Sequence, residues 1–291
     1  MQPLDGSRLK IRRAIDEIER LALGEDALRQ DANYTFWSEF NPKSGKYIQR
    51  VRIGVSPDPL WGVYIGEIAH NLRSALDGLV YELTLLDGGT PTRYTQFPIL
   101  LVGKHIEGKK VRRRSPEFRH IFWGQKHGDG LDMINGLSLS HKTDIERLQP
   151  YKRGRGGRNC PLYWLKQINN TDKHRLVQVL DLGVAMTENF VTTYFPEHRG
   201  DFQSVPYVVS SIGVPELYLL PTELEDGTRI AELAEDVEMQ ANFTPLIAFG
   251  DSCRIVKGKP AIPCLHQIAD DVSSIIEFFA LKIPHQLSLI P

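Results

Sequence analysis

Four stretches of the chain repeat apolar residues every three or four positions, which is the spacing of one face of an α-helix. They cover residues 7–30, 59–86, 161–174 and 260–281. The second stretch has the clearest start signal, because Asp58 suits a helix cap and Pro59 a first helical turn. Gly88 and Gly89 then provide a stop. We also predict a partly helical segment over 131–149.

Alternating apolar and polar positions predict strands in much of the remaining chain. Two strands are expected to form a hairpin, at 34–40 and 47–55, because residues 41–45 between them are turn-forming (Asn-Pro-Lys-Ser-Gly). Further strands are predicted at 95–102, 176–186, 190–195, 207–212 and 216–220, with one or two more within 228–249.

The order of these elements separates runs of helices from a block of strands, which is typical of an α+β fold. We therefore predict a helical bundle of about four helices packed beside an antiparallel β-sheet. The last helix is expected to pack on the earlier ones, so residues 1–291 form a single interlaced domain with a basic, irregular segment at 104–158.

Composition excludes several classes of protein. A hydrophobic fraction of 41% with 24% charged residues is ordinary for a globular protein and argues against disorder along the whole chain. Apolar runs end well short of the roughly 18 residues that a membrane span needs, and no signal peptide is evident. Three cysteines without a pairing motif predict reduced thiols. We expect a cytoplasmic protein without a membrane partner.

Two polar clusters are the main candidates for chemistry, since phosphate loops, dinucleotide-binding turns, zinc helices and hydrolase or kinase signatures are absent. On the 59–86 helix, His70, Arg73 and Asp77 stack within two turns. Asp172 and His174 lie at the end of the 161–174 helix. The two clusters are predicted to form a pocket, with His174 as acid or base and Arg73 as a stabiliser of phosphate charge. Alternatively, local ion pairs and favourable contacts with a helix C-terminus account for both clusters.

The same two clusters carry a resemblance to a family of uncharacterised bacterial proteins. It covers residues 60–176, through the segments around His70-Asn-Leu-Arg73-Ser-Ala-Leu-Asp77, Gln149-Pro-Tyr151 and Asn170-Thr-Asp172-Lys-His174-Arg175. That pattern tends to have a histidine at the position of Gly78. An arginine followed five positions later by histidine is similar to the ribonuclease signature of the HEPN helical-bundle superfamily. Gly78 departs from the signature, which counts against this activity here while leaving a HEPN-like bundle as an expectation.

Positive charge is concentrated in residues 104–158. This segment contains fourteen Lys or Arg residues and six Asp or Glu residues, which gives a net charge of +8. Basic residues beside aromatic ones suit single-stranded nucleic acid, because cations bind phosphates and bases stack on rings. The candidate phosphate-binding residues are Lys109, Lys110, Arg112, Arg113, Arg114, Lys152, Arg153, Arg155 and Arg158. The alternative is a solvated loop, or a patch that pairs with the protein's own acidic residues.

The leading hypothesis is therefore a protein that interacts with nucleic acid, directed at single-stranded RNA and similar to a defence or toxin-like effector. The second is a non-catalytic interaction or dimerisation module. The third is a metal-dependent hydrolase or oxidase that uses Glu67, His70, His174 and His266, because Glu67 and His70 have the spacing of di-iron bundles. The further ligands of such a centre are missing from the sequence, so we predict no metal and no cofactor.

Overall fold

A computed structural model of the chain describes residues 3–31, 35–52, 58–101, 122–123, 130–174, 180–194, 229–234 and 237–283. The strands predicted at 207–212 and 216–220 lie outside these residues, as do the basic residues 109–114.

The helices are α1 (Asp5–Asp31), α2 (Leu60–Leu86), α3 (Gly130–Met133), α4 (Leu139–Arg147), α5 (Pro161–His174) and α6 (Ala261–Ala280). The four helices predicted from the sequence correspond to α1, α2, α5 and α6, so the helical part of the predicted fold is confirmed. No helix in the described ranges is long and apolar enough to cross a membrane.

A 3-10 helix runs over Pro150–Asn159, where the sequence predicted a glycine-rich loop at 152–158. The loop prediction is wrong because Pro150 has a backbone angle suited to a first helical turn. Gly157 also allows tight coiling, since a Cβ atom there would lie 2.6 Å from the carbonyl oxygen of Pro150.

The strands are β1 (Thr35–Asn41), β2 (Lys46–Arg52), β3 (Leu180–Tyr194), β4 (Arg229–Ala234) and β5 (Val237–Phe249). β1 pairs antiparallel with β2 across a turn in which Gly45 has a φ of 64°, a conformation that favours glycine. β2 also pairs with β4, and β3 pairs with β5. The strands predicted at 176–186 and 190–195 fall largely within β3, whose register with β5 is irregular between Met186 and Phe190.

The chain divides into two compact units, each assembled from stretches that are distant in sequence. The first unit comprises Met1–Arg20, Gly62–Gln178 and Ile262–Pro291, and the second comprises Leu21–Trp61 and Val179–Ala261. The prediction of a single interlaced domain stays a prediction.

In the first unit, α2 supplies much of the core. Its residues Ile65, Ile68, Leu72, Leu76, Leu79 and Leu83 are fully buried. The N-terminal part of α1 packs on α2, where the Ser7 hydroxyl donates to the carbonyl oxygen of Ala75 at 2.8 Å. Arg8 also pairs with Glu277 of α6 at 2.8 Å. The predicted packing of the last helix on the earlier ones is therefore present within this unit.

In the second unit, the C-terminal part of α1 is attached to β5 by one buried carboxylate. Glu25 is 6% exposed, and its Oε1 accepts a hydrogen bond from the backbone N–H of Ile247 at 2.6 Å. Gly24 permits a close approach of Trp61, since a Cβ atom at Gly24 would lie 3.3 Å from the indole ring.

Candidate functional site

An extended segment at residues 96–100 crosses the core of the first unit beside α2 and α5. Phe97, Ile99 and Leu100 are each at most 3% exposed. The strand predicted at 95–102 is wrong for the described residues 95–101. The backbone of this segment is paired with side chains and with the backbones of Met133 and Tyr151 instead of with another strand.

Gln149 is the first of the side chains that hold the 96–100 segment. It is fully buried, and its amide nitrogen donates to the carbonyl oxygens of Pro98 at 2.8 Å and Ile145 at 3.0 Å. Its Oε1 accepts the backbone N–H of Leu100 at 2.9 Å. The Gln149-Pro-Tyr151 motif therefore has a structural role, in which one amide satisfies three backbone groups away from water.

Arg73 and Asp77 of α2 hold the same segment from the other side. The two side chains form an ion pair at 2.9 Å. The Asp77 carboxylate accepts the backbone N–H of Phe97 at 2.9 Å, and Arg73 donates to the carbonyl oxygen of Phe97 at 2.6 Å. This pair thus connects α2 to the 96–100 segment, in agreement with the interpretation of the cluster as a structural tie.

The helices that carry the two polar clusters, α2 and α5, approach each other closely. A Cβ atom at Gly66 would lie 2.1 Å from a carboxylate oxygen of Asp172, so a side chain at position 66 would require Asp172 to move. Further along α2, Arg73 is near enough to Lys166 of α5 to act on its charge. Since 66 meets 172 while 73 meets 166, the two helices run antiparallel.

A cavity of about 200 Å³ lies at this helix pair. Its described lining consists of Arg73, Gln96, Phe97, Ile99, Leu100, Met133, Lys166, Asn169, Asn170 and Lys173. Three of these residues are cationic and none is Asp or Glu. The cavity is therefore an electropositive site with one apolar wall, which suits an anionic ligand.

Lys166 is partly buried, whereas Lys173 is exposed. Its Nζ donates to the carbonyl oxygen of Ile99 at 2.9 Å. Burial, with a smaller contribution from the positive charge of Arg73, lowers the pKa of Lys166 to about 8. The ammonium therefore keeps most of its charge at neutral pH, at a cost that a bound anion would offset.

Asn169 contributes an unsatisfied polar group to the cavity. The residue is 3% exposed, and its Oδ1 has no hydrogen-bond partner among the described residues. A buried polar atom left without a partner costs about 1–3 kcal/mol, so such atoms in folded proteins usually have a ligand or a water as a partner.

The predicted site residues are distributed unequally around this cavity. Arg73 lines it, Asp77 holds Arg73, and Asp172 packs on Gly66. His70 and His174 are exposed and do not belong to its described lining. The sequence analysis missed Lys166, although its spacing with Asn169 and Lys173 along α5 places all three on one helix face.

The described basic residues of 104–158 are largely engaged with neighbours. Lys152 pairs with Glu146 at 3.0 Å and Arg153 with Asp271 at 3.5 Å. For these two residues the contacts match the alternative in which the basic patch pairs with the protein's own acidic groups. The side chain of Arg155 and residues 109–114 lie outside the described part, whereas Arg158 is exposed.

Position 78 faces α1. A Cβ atom at Gly78 would lie 3.0 Å from the Ser7 hydroxyl oxygen, at the point where α1 crosses α2. A histidine side chain at this position would therefore meet α1, which gives a packing reason for the glycine.

The metal-dependent alternative does not assemble in the described residues. Within those ranges, no group of three or more His, Cys, Asp or Glu residues lies close enough together to hold a metal ion. Glu67, His70, His174 and His266 are all described, so they do not form the metal site that this alternative requires.

Comparisons with protein-family models, with curated proteins and with solved structures find no match to the chain. The resemblance to bacterial proteins and to HEPN-like bundles therefore stays a prediction.

Proposed function

We propose that the protein binds single-stranded RNA and that the α2–α5 cavity receives one of its phosphate groups. The observation that carries this proposal is the convergence of Arg73, Lys166 and Lys173 on a cavity whose described lining holds no carboxylate. Hydrogen bonds from charged donors to phosphate are stronger than those between neutral groups, and the partial burial of Lys166 strengthens them further.

The three cations have different roles in this proposal. Arg73 is committed to Asp77 and Phe97, so it contributes fixed positive charge and holds the cavity wall. Lys166 uses one of its three N–H donors on Ile99, which leaves two for a phosphate oxygen. Lys173 is exposed at the end of α5 and would meet the ligand at the entrance.

The basic segment at 104–158 extends the proposed interface. Lys109, Lys110, Arg112, Arg113 and Arg114 would bind phosphates along the RNA backbone, together with Arg155 and Arg158. We propose that an RNA-binding protein of this kind acts in the cytoplasm. We also keep the α+β class, in which an antiparallel sheet accompanies the helical bundle, as part of the proposal.

The test is binding of the purified protein to a labelled mixed-sequence single-stranded RNA across a salt series. Replacing Lys173 with Gln is expected to weaken binding by about tenfold, the effect of one lost charged contact. It is also expected to reduce the slope of log K against log salt by about 0.7, the value for one phosphate on a single strand. Arg12→Gln is the matched control. Arg12 is exposed on α1, and its replacement removes the same charge at a place away from the cavity.

A second variant separates the cavity from the basic segment. Changing Lys109, Lys110, Arg112, Arg113 and Arg114 to Gln is expected to reduce the salt slope further, because several phosphate contacts are removed together. Failure of the unmodified protein to bind RNA at low salt would contradict the proposed function.

RNA cleavage by His174 stays a prediction. It is tested with the double variant His70→Ala, His174→Ala, in which cleavage is expected to be lost while RNA binding is kept. Cleavage that survives in this variant would remove both histidines from the mechanism.

A non-catalytic role is the second candidate function, and the contacts of Arg73 and Asp77 favour it. Both side chains are used to hold the 96–100 segment, which is what a polar cluster that ties helices together requires. In that case the protein would act as an interaction or dimerisation module, and it would bind neither RNA nor phosphate in the assays above.

A further inference from the structure

The α2–α5 cavity is small and open on one side. Its volume of about 200 Å³ is below the range of about 300–1,000 Å³ that is usual for sites that enclose drug-sized ligands. A phosphate group and its immediate substituent fit such a space, and the rest of the ligand would lie outside it. The site is therefore suited to the end of a molecule.

The depth of Lys166 favours a terminal group over an internal one. A phosphodiester within an RNA chain carries a sugar on each side, and both sugars would have to enter before its oxygens reached the Lys166 ammonium. A phosphomonoester has a sugar on one side only. It can enter with its three free oxygens leading, toward Lys166.

The charges around the cavity also favour a phosphomonoester over a phosphodiester. The two helices present Arg73, Lys166 and Lys173 to the cavity, and the 96–100 segment and α3 contribute only uncharged residues to its lining. Asp77, the nearest carboxylate that contacts a lining cation, is engaged by Arg73 and by the backbone of Phe97. A phosphomonoester has close to two negative charges at neutral pH, while a phosphodiester has one, so the monoester offsets more of this charge.

We infer that the α2–α5 cavity is a binding pocket for a terminal phosphomonoester, carried by the phosphorylated end of a single-stranded RNA. This inference rests on the proposed function for the RNA part of the ligand. The same chemistry is present in a free nucleoside monophosphate, and the experiment distinguishes the two sources.

The first arm of the experiment compares RNAs of one sequence that have a 5′-phosphate, a 3′-phosphate or hydroxyl groups at both ends. At least one phosphorylated RNA is expected to bind about tenfold more tightly than the hydroxyl form. The difference is expected to disappear in Lys173→Gln and to persist in Arg12→Gln. Equal affinity of all three RNAs would overturn the inference and leave the proposed function standing.

The second arm uses inorganic phosphate and a nucleoside monophosphate without RNA. Competition by both against the phosphorylated RNA supports the pocket. Binding of the monophosphate by a protein that does not bind RNA supports the pocket and overturns the proposed function. If neither phosphate compound nor any RNA binds, both proposals fail.

The pH dependence of monophosphate binding tests the role of Lys166. A lysine with a purely structural role would not make the affinity for phosphate depend on its own charge. The phosphate stays dianionic from pH 7 to pH 9, since its second pKa is about 6. Lys166, with a pKa of about 8, loses its charge in this window. Affinity is therefore expected to be about tenfold weaker at pH 9 than at pH 7. In Lys166→Arg, which keeps the charge, this fall is expected to be lost, and a fall that persists would exclude Lys166 as the group responsible.

Discussion

Asn169 is a polar residue at a position where an apolar one would be more stable. It is 3% exposed, and its Oδ1 lacks a partner among the described residues. Leucine has the same number of side-chain heavy atoms and needs no hydrogen bond. Asparagine at this place is therefore a cost to the fold, which a hydrogen-bond donor such as water would offset because Oδ1 only accepts.

We expect Asn169→Leu to raise the free energy of unfolding by about 1 kcal/mol, because the unsatisfied carbonyl oxygen is removed. The same change is expected to weaken binding of phosphorylated RNA, since leucine brings no hydrogen-bond donor into the cavity lining. Urea denaturation and RNA titration of the same variant measure the two effects. Asn170→Ala is the control for stability, because Asn170 is exposed and its replacement should change stability by less than about 0.5 kcal/mol.

A lower free energy of unfolding in Asn169→Leu, together with unchanged RNA affinity, would show that the amide serves the fold and not a ligand. Either result can be obtained from a folded variant, so the experiment remains informative.

At the same scale, the sequence led to Arg73 and Asp77 but not to Lys166. A charged pair four residues apart on a helix is visible in a sequence, because the spacing alone brings the side chains together. Lys166 depends on a different condition, which is burial against Arg73 and the carbonyl oxygen of Ile99. Those neighbours are distant in sequence, and no local pattern reveals them.

At the scale of elements, the contact between α2 and α5 depends on Gly66. Alanine is the better helix former by about 1 kcal/mol, so a glycine in the middle of α2 has a packing reason. That reason is Asp172, whose carboxylate occupies the space that a Cβ atom would need.

We expect Gly66→Ala to lower the free energy of unfolding by about 1 kcal/mol or more, because overpacking outweighs the gain in helix propensity. In an Asp172→Ala background the same change is expected to be stabilising, since only the propensity term remains. A double-mutant cycle in urea measures the coupling. Gly156→Ala is the control, as a Cβ atom there meets no neighbour within 4 Å. If Gly66→Ala has the same effect in both backgrounds, the two helices do not meet at this pair.

Helices were predicted more accurately than irregular segments for a physical reason. The apolar face of α2 or α6 repeats over many turns, so the pattern is recognisable even without knowledge of its partner. The extended shape of residues 96–100 instead depends on Gln149, Arg73 and Asp77, none of which is adjacent in sequence. A short apolar run of this kind resembles a strand until its hydrogen-bond partners are known.

At the scale of the whole molecule, the apolar core of the first unit is complete only when α6 packs into it. Five large side chains of α6 are fully buried, at Leu265, Ile268, Val272, Ile276 and Phe279. Each contributes about 1.5–3 kcal/mol when it is removed from water. Their sum is comparable to the whole stability of a typical domain, which is about 5–15 kcal/mol. An unbroken stretch that contains α1, α2 and α5 but not α6 therefore lacks the interactions that it needs to fold.

The corresponding prediction is that a fragment of residues 1–178 does not fold cooperatively, although it contains every described residue that lines the cavity. Circular dichroism is expected to show reduced helix content and no sharp thermal transition. Adding a peptide of residues 259–283 in trans is expected to restore the transition, because it supplies the apolar face of α6 and the Glu277 partner of Arg8. A peptide with Ile268 and Ile276 changed to Asp is the control and should not restore it. If the fragment alone unfolds with a sharp transition, α6 is dispensable, and the unit that holds the cavity is contained in a single continuous stretch of the sequence.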